Sequence, residues 1–114
     1  PMFPDGYKAE VQVLSQVLAT DRENDPDVVA AIASFAALAL SSIPHGTTLG
    51  MCRIGMMNDK LVINPLWSDV QSPENKLNLT VAGSHDAIAM VEAGAKEVSE
   101  MFNSEARILG RHCI

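Results

Sequence analysis

The sequence has 114 residues, of which 47% are hydrophobic and only 4% aromatic, and its net charge is -6. This length fits one domain with an aliphatic core. The eight Lys and Arg residues are scattered singly, so the composition excludes tight binding of nucleic acid or of an anionic membrane by this chain alone.

The chain opens on a Pro-x-Phe-Pro turn without an apolar leader, and Cys52 and Cys113 lie far apart in the sequence. These features predict reduced thiols and a cytoplasmic location. Residues 28–40 form a continuous apolar run of about thirteen residues, whereas a bilayer requires roughly twenty. We therefore expect a helix buried on most of its circumference and no membrane partner.

The first element predicted is a strand over residues 10–20, which are rich in β-branched residues. Its apolar positions are Val11, Val13, Val17 and Leu18. A helix follows to about residue 42, because Asp25 suits the N-cap and Pro26 suits the first turn. Its apolar face is predicted to contain Val28, Ile32, Phe35 and Ala39.

Two apolar arms around Asn58 and Asp59 predict a β-hairpin, with strands over residues 49–57 and 60–64. Residues 66–76 read as a polar loop or a short helical turn. The alternation in LNLTVAG predicts a further strand over residues 77–83.

The last predicted helix begins after Ser84 and runs to Phe102, and residues 103–114 suggest one more short helix. The apolar stripe of the helix that ends at Phe102 consists of Ile88, Val91, Ala95, Val98 and Phe102. The order is therefore strand, helix, strand, strand, strand, helix. This order predicts an α+β fold in which helices pack on a mixed sheet.

Four acidic residues precede the first helix: Asp21, Glu23, Asp25 and Asp27. They fit a metal site or an acid/base pair, or else helix capping beside a solvated loop. Capping is favoured because the same residues satisfy N-terminal amides.

The histidines His45, His85 and His112 are spread along the chain at turns or helix ends, so they predict no shared metal site. The neighbouring His112 and Cys113 predict no nucleophile and base, because adjacent side chains rarely point at each other. Cys52 is predicted to be a small core residue. The sequence thus predicts no catalytic and no metal-binding residue.

Arg53 lies within an apolar predicted strand, between Gly50 and Gly55. It either points to solvent or is held by a buried carboxylate, and the rarity of buried arginine favours solvent. The flanking glycines indicate bulges or close backbone approach. They lie too far apart for a phosphate-binding loop, and no helix follows them.

Taken in order, the motifs resemble a known family along almost the whole chain. They are PMFPDGY, EVQV, VLATDRENDPDV, AALALSSIP, LGMCRIG, VINP, LNLTVAG, DAIAMVE, AKEVSE and ILGRHCI. This series is similar to the latter part of the first RNase PH-like half of polynucleotide phosphorylase. The resemblance implies that residues 1–114 form a single partial RNase PH-like domain with the ribosomal protein S5 domain 2-like fold.

The resemblance also implies an activity for the complete enzyme, which is phosphorolysis of RNA from the 3′ end with Mg²⁺ as cofactor. The family's catalytic carboxylates and phosphate-binding serines lie in its second half, so no catalytic residue carries over to this chain. Arg53 matches a family arginine without an assigned contact. RNA is expected as a partner only in the complete enzyme.

The chain also departs from the family. The family's FNGPIG loop is here HGTTLG, at residues 45–50, which removes a proline and puts a channel-lining role for this loop in doubt. Without the family's first strands the sheet is expected to expose an edge, and exposed edges recruit partners. We therefore expect a homo-oligomer, or pairing with the missing portion.

Three functions remain at this stage. The first is a non-catalytic scaffold or RNA-channel segment of a polynucleotide phosphorylase-like enzyme. The second is a freestanding oligomerisation module derived from that domain. The third is an unrelated small-molecule enzyme that uses the acidic residues between Asp21 and Asp27, for which replacement of Asp25 by Asn would abolish activity and leave the fold intact.

Overall fold

A computed structural model of the chain describes residues 3–95 and 100–112. Three helices and four strands occur in these residues. In chain order they are α1 (Pro26–Leu40), β1 (Gly50–Met57), β2 (Lys60–Ile63), α2 (Trp67–Gln71), β3 (Leu77–Gly83), β4 (Ile88–Ala95) and α3 (Glu100–His112). The strands form one sheet in the order β2-β1-β3-β4. The predicted α+β class is confirmed, although all three described strand pairings are antiparallel and not mixed.

The central hairpin and its neighbour agree with the sequence prediction. Asn58 and Asp59 adopt positive φ angles of 51° and 57°, which the β1–β2 turn requires and which Asn and Asp tolerate best among non-glycine residues. Strand β3 occupies the predicted residues. The short helix α2 forms where a helical turn was one of two alternatives.

The predicted strand over residues 10–20 is wrong. These residues form no regular secondary structure and pair with no described strand. Both edges of β1 are occupied by β2 and β3, so the centre of the sheet has no place for a further strand. Residues 10–20 run beside α1 instead, where Ser15 Oγ lies 2.5 Å from Ser34 Oγ.

The predicted helix from residue 85 to Phe102 is wrong in its first half, whereas residues 100–102 do lie in helix α3. Its first half is strand β4, which pairs with β3 from Leu77↔Ala95 to Gly83↔Ile88. Ser84 does accept a hydrogen bond from the Ala87 N–H (3.2 Å), as a helix cap would. The Ser84 N–H, however, donates to the Ala87 carbonyl (2.8 Å), and the turn closes a hairpin. Val98 and Cys113 lie outside the described residues.

One face of the sheet carries the core. Cross-strand partners share a face, so Cys52 with Val81 and Ile54 with Leu79 form one apolar layer. Helix α3 covers this layer, and the fully buried Ala106 belongs to the same cluster. The prediction that Cys52 is a core residue is confirmed, since it is 1% exposed.

The opposite face of β1 carries Arg53, and α1 packs on that side of the sheet. The sequence predicted that helix α1 is buried on most of its circumference. This prediction is wrong. Only Val28 is buried, whereas Val29 and Ile32 are 60% and 52% exposed. Within the described residues, no helix has both the length and the apolar character that a bilayer crossing needs.

Gly110 lies where helix α3 packs closely against the sheet. A Cβ at this position would lie 2.9 Å from Val81 Cγ2 and 3.2 Å from Ile54 Cδ1. The substitution Gly110→Ala gains about 1 kcal/mol of helix propensity, but overpacking a filled core costs about 1–3 kcal/mol. We expect a net loss of about 1 kcal/mol in urea denaturation.

The control for this prediction is Ser104→Ala, at an exposed position of the same helix. Ala has the higher helix propensity, so this substitution should be neutral or slightly stabilising. Equal stability changes in the two variants would contradict close packing of α3 at Gly110.

Candidate functional site

The most buried charged groups in the described chain form a cluster between β1 and the start of α1. Arg53 is 8% exposed and Asp25 is 7% exposed. Arg53 Nη1 forms an ion pair with Asp25 Oδ2, and Arg53 Nη2 lies 3.2 Å from Asp27 Oδ2. The solvent-facing orientation favoured for Arg53 is therefore wrong, and the alternative of a buried carboxylate partner is correct.

Asp25 has two roles in this cluster. Its side chain is the N-cap of α1, where Oδ1 accepts from the Asp27 N–H at 2.9 Å. Its other oxygen pairs with Arg53. The predicted cap is thus confirmed, and the same carboxylate ties the helix N-terminus to the sheet.

Asn64 holds the backbone of Arg53 and was missed by sequence reasoning. Its Oδ1 accepts from the Arg53 N–H (2.9 Å), and its N–H donates to the Arg53 carbonyl (2.7 Å). Asn64 adopts a φ of 47°, which Asn tolerates better than most residues. The only sequence signal was an Asn before Pro65 at the end of a predicted strand.

Two substitutions separate the contributions of Asn64. Asn64→Gly retains the positive φ at little strain and loses the side-chain hydrogen bond, which should cost about 1 kcal/mol. Asn64→Ala loses the same side-chain hydrogen bond, and the left-handed backbone lowers the stability of this variant by about a further 1–2 kcal/mol. We expect Ala to be less stable than Gly in urea denaturation. Equal stability of the two variants would contradict a backbone role.

Asp21 serves the loop before α1. The backbone N–H groups of Asn24 and Glu23, and then the Asn24 side-chain amide, donate to its carboxylate at 3.0, 2.9 and 2.6 Å. These hydrogen bonds favour the ionised form, so the pKa of Asp21 lies below its ordinary value. Because its oxygens are engaged within the loop, Asp21 is poorly placed to act on a ligand.

The structure keeps the three histidines apart. His45 Nδ1 lies 3.0 Å from the Ile43 carbonyl, and exposed His85 pairs with neighbouring Asp86. His112 Nδ1 lies 2.8 Å from the Ile108 carbonyl. Across residues 3–95 and 100–112, no three His, Cys, Asp or Glu side chains come together as a metal site. The Mg²⁺ that the family resemblance implies for the complete enzyme stays a prediction.

The cluster can act as an anchor between the start of α1 and the sheet. The carboxylates of Asp25 and Asp27 neutralise the charge of Arg53. Across the sheet, Arg53 is opposite Thr80, which in turn is opposite exposed Glu92. The loop at residues 45–50 lies beside Phe35 and Leu38 of α1, and its functional role stays a prediction.

Comparison with known proteins agrees with this architecture. Residues 47–102, which contain the whole sheet, match the family described as "3' exoribonuclease family, domain 2". This match supports an RNase PH-like fold for the matched residues.

The similar curated proteins are more specific. The chain is 47% identical over 113 residues to the polyribonucleotide nucleotidyltransferase of Rhodopseudomonas palustris (strain BisB5) and 44% identical over 114 residues to that of Exiguobacterium sibiricum. These alignments cover 98% and 100% of the chain but 15% of each relative. The chain is thus similar to a segment of polyribonucleotide nucleotidyltransferase, also called polynucleotide phosphorylase, and spans about 15% of the length of these relatives.

Proposed function

We propose that this chain is a non-catalytic scaffold segment of a polynucleotide phosphorylase-like enzyme. The observation that carries the proposal is the mutual neutralisation of Arg53 and Asp25, the two most buried opposite charges in the described residues. A group that is buried and paired in this way stabilises the fold and is unavailable to a phosphate or a nucleotide. The similarity to known proteins is the reason for assigning the scaffold to this enzyme.

The proposed activity belongs to the complete enzyme, in the cytoplasm and with RNA as substrate. An oxygen of inorganic phosphate forms a bond to the phosphorus of the 3′-terminal phosphodiester. The bond from that phosphorus to the 3′ oxygen of the preceding nucleotide breaks, and a nucleoside diphosphate leaves. Mg²⁺ would stabilise charge on the phosphoryl oxygens, but we assign it no ligand in this chain.

A direct assay tests the proposal. The 114-residue chain is incubated with polyadenylate, inorganic phosphate and Mg²⁺, with the Rhodopseudomonas palustris enzyme as positive control, and released ADP is measured. We expect no phosphate-dependent ADP from the chain alone. Release that depends on phosphate and is lost in Asp25→Asn would contradict the scaffold role.

A second candidate is a freestanding oligomerisation module. The uncovered apolar side chains of α1 favour it, since Val29 and Ile32 are more than half exposed. Such a module would form a stable homo-oligomer in the absence of any other polypeptide. Sedimentation equilibrium measures the molar mass of this assembly. A monomer over the micromolar range would contradict this candidate.

A further inference from the structure

The Asp-Gly pair at residues 5 and 6 lies in an exposed turn. The Tyr7 N–H donates to the Pro4 carbonyl at 3.1 Å, which closes a four-residue β-turn around this pair. Gly6 adopts a φ of 87°, whereas Asp5 has no positive φ, so the turn is of type II with glycine at its third position. Residues 3–6 are all exposed to solvent.

The groups that could react within this pair are unpaired. The hydrogen bond of a β-turn joins its first and fourth residues and leaves the amide between the second and third free. Within the described residues, the Gly6 N–H has no hydrogen-bond acceptor, and the Asp5 carboxylate has no hydrogen-bond or ion-pair partner. A Cβ on Gly6 would have no atom within 4 Å, so the space around this amide is open.

An aspartate followed by glycine contains both an electrophile and a nucleophile. The Gly6 nitrogen and the Asp5 Cγ belong to one chain and can close a five-membered ring, so their reaction is unimolecular. Glycine favours this ring closure because it has no Cβ to hinder the nitrogen. It also permits backbone rotations that other residues resist.

We propose that Asp5 is a site of spontaneous isoaspartate formation. The Gly6 nitrogen forms a bond to Cγ of the protonated Asp5 carboxyl group, the Cγ–OH bond breaks, and the hydroxyl leaves with the N–H proton as water. The product is a succinimide. Addition of water to Cγ with cleavage of the new N–Cγ bond restores aspartate, whereas addition of water to the α-carbonyl with cleavage of its bond to nitrogen produces isoaspartate. The reaction needs no oxidant and no cofactor.

The isoaspartyl product differs from aspartate in its main chain. The backbone then runs through the former side chain, which adds one carbon to the turn and leaves a free α-carboxylate. We expect the longer backbone to break the Tyr7–Pro4 hydrogen bond and the stacking of Phe3 on Tyr7, whose ring centroids are 5.6 Å apart. The α-carboxylate is a methyl acceptor for the class of S-adenosylmethionine-dependent enzymes that esterify isoaspartate. This inference does not depend on the proposed function.

Two other exposed aspartates are internal controls for the reaction at Asp5. The Asp86 side chain is 89% exposed, but the N–H of the following Ala87 donates to Ser84 Oγ at 3.2 Å. The Asp59 side chain is 73% exposed, but the following residue, Lys60, has a Cβ and begins strand β2. Both aspartates therefore have the exposure of Asp5 without its free glycine nitrogen.

Ageing of the chain in solution tests the proposal. The 114-residue chain is incubated at physiological temperature and pH and is digested at successive times. Liquid chromatography with fragmentation mass spectrometry then quantifies aspartate and isoaspartate at residues 5, 59 and 86. We expect isoaspartate to form at residue 5 about tenfold faster, or more, than at the other two positions. Absence of isoaspartate at residue 5, or equal rates at the three positions, would overturn the proposal.

Two variants at residue 5 test the reaction route. Asp5→Glu keeps the charge but requires a six-membered ring, and it should lower the rate of isomerisation about tenfold or more. Asp5→Asn changes the leaving group from water to ammonia, so ring closure should be faster and its hydrolysis products should carry one more negative charge. Isomerisation at an unchanged rate in Asp5→Glu, or no acceleration in Asp5→Asn, would show that the Gly6 nitrogen does not attack this side chain.

Discussion

Replacing Arg53 with methionine is expected to destabilise the chain by about 3–5 kcal/mol, because Asp25 would remain as a buried, unpaired charge. The two side chains are 10% and 5% exposed, so solvent cannot replace the lost partner. Unfolding in urea is followed by the fluorescence of Trp67, the only tryptophan. The backbone N–H of Trp67 donates to the Glu23 carbonyl (2.7 Å), which places this probe beside the affected loop.

Two variants control this prediction. Lys76→Met removes the cation of an exposed pair with Asp59, in which the side chains are 54% and 73% exposed, and should cost under about 1 kcal/mol. Asp25→Asn combined with Arg53→Met should recover part of the loss, because no unpaired charge remains and Asn is also a good N-cap. A loss for Arg53→Met as small as that for Lys76→Met would contradict the anchor.

Gly83→Ala is expected to cost about 2–3 kcal/mol through overpacking at the β3–β4 turn. An added Cβ would collide with the Ala87 carbonyl oxygen and would lie 2.9 Å from Ile88 Cα. Both are backbone atoms of the closing turn, so they cannot move aside as a flexible side chain could. Thermal unfolding monitored by circular dichroism measures the effect.

Gly94→Ala is the matched control, since it makes the same change on the partner strand of the same hairpin. The nearest atom to its added Cβ is the Asn78 carbonyl oxygen at 3.9 Å, an ordinary contact. Ala also restricts the unfolded chain more than Gly, which should stabilise by up to about 1 kcal/mol. If both variants lost the same stability, close packing at Gly83 would not be the cause.

Local signals in the sequence predicted the elements that depend on local chemistry. The Asn58–Asp59 turn, the Asp25 cap and the alternation in residues 77–83 each specify their structure within a few residues. The sequence also predicted Cys52 as a core residue from its apolar neighbours. These features require little knowledge of what packs against them.

The features that were mispredicted depend on distant partners. Strand β4 has apolar residues at helical spacing, but pairing with β3 decides its structure. Residues 10–20 have the composition of a strand yet lack a described partner. The burial of Arg53 depends on Asp25, which lies 28 residues earlier in the chain, and no local pattern encodes that distance.

The candidate site was predictable only in part. The Asp25 cap was predicted, and a buried carboxylate partner for Arg53 was one of two alternatives. Asn64 could not be anticipated, because its importance comes from a positive φ and from contacts with Arg53 across the β1–β2 pair. The family resemblance, carried by ordered motifs along the chain, is confirmed by the matched relatives.

The central claim, that this segment is scaffold and not catalyst, is tested most directly by phosphorolysis in a hybrid enzyme, the Rhodopseudomonas palustris (strain BisB5) protein in which residues 1–114 replace the matched segment. The rate of ADP release from polyadenylate is compared with and without the combined changes Asp21→Asn, His45→Ala and His85→Ala, which remove three titratable side chains near turns. The scaffold role predicts rates equal within about twofold, because no general acid or base is lost. A fall of about a hundredfold or more, the usual effect of losing such a group, from an assembled hybrid would contradict it.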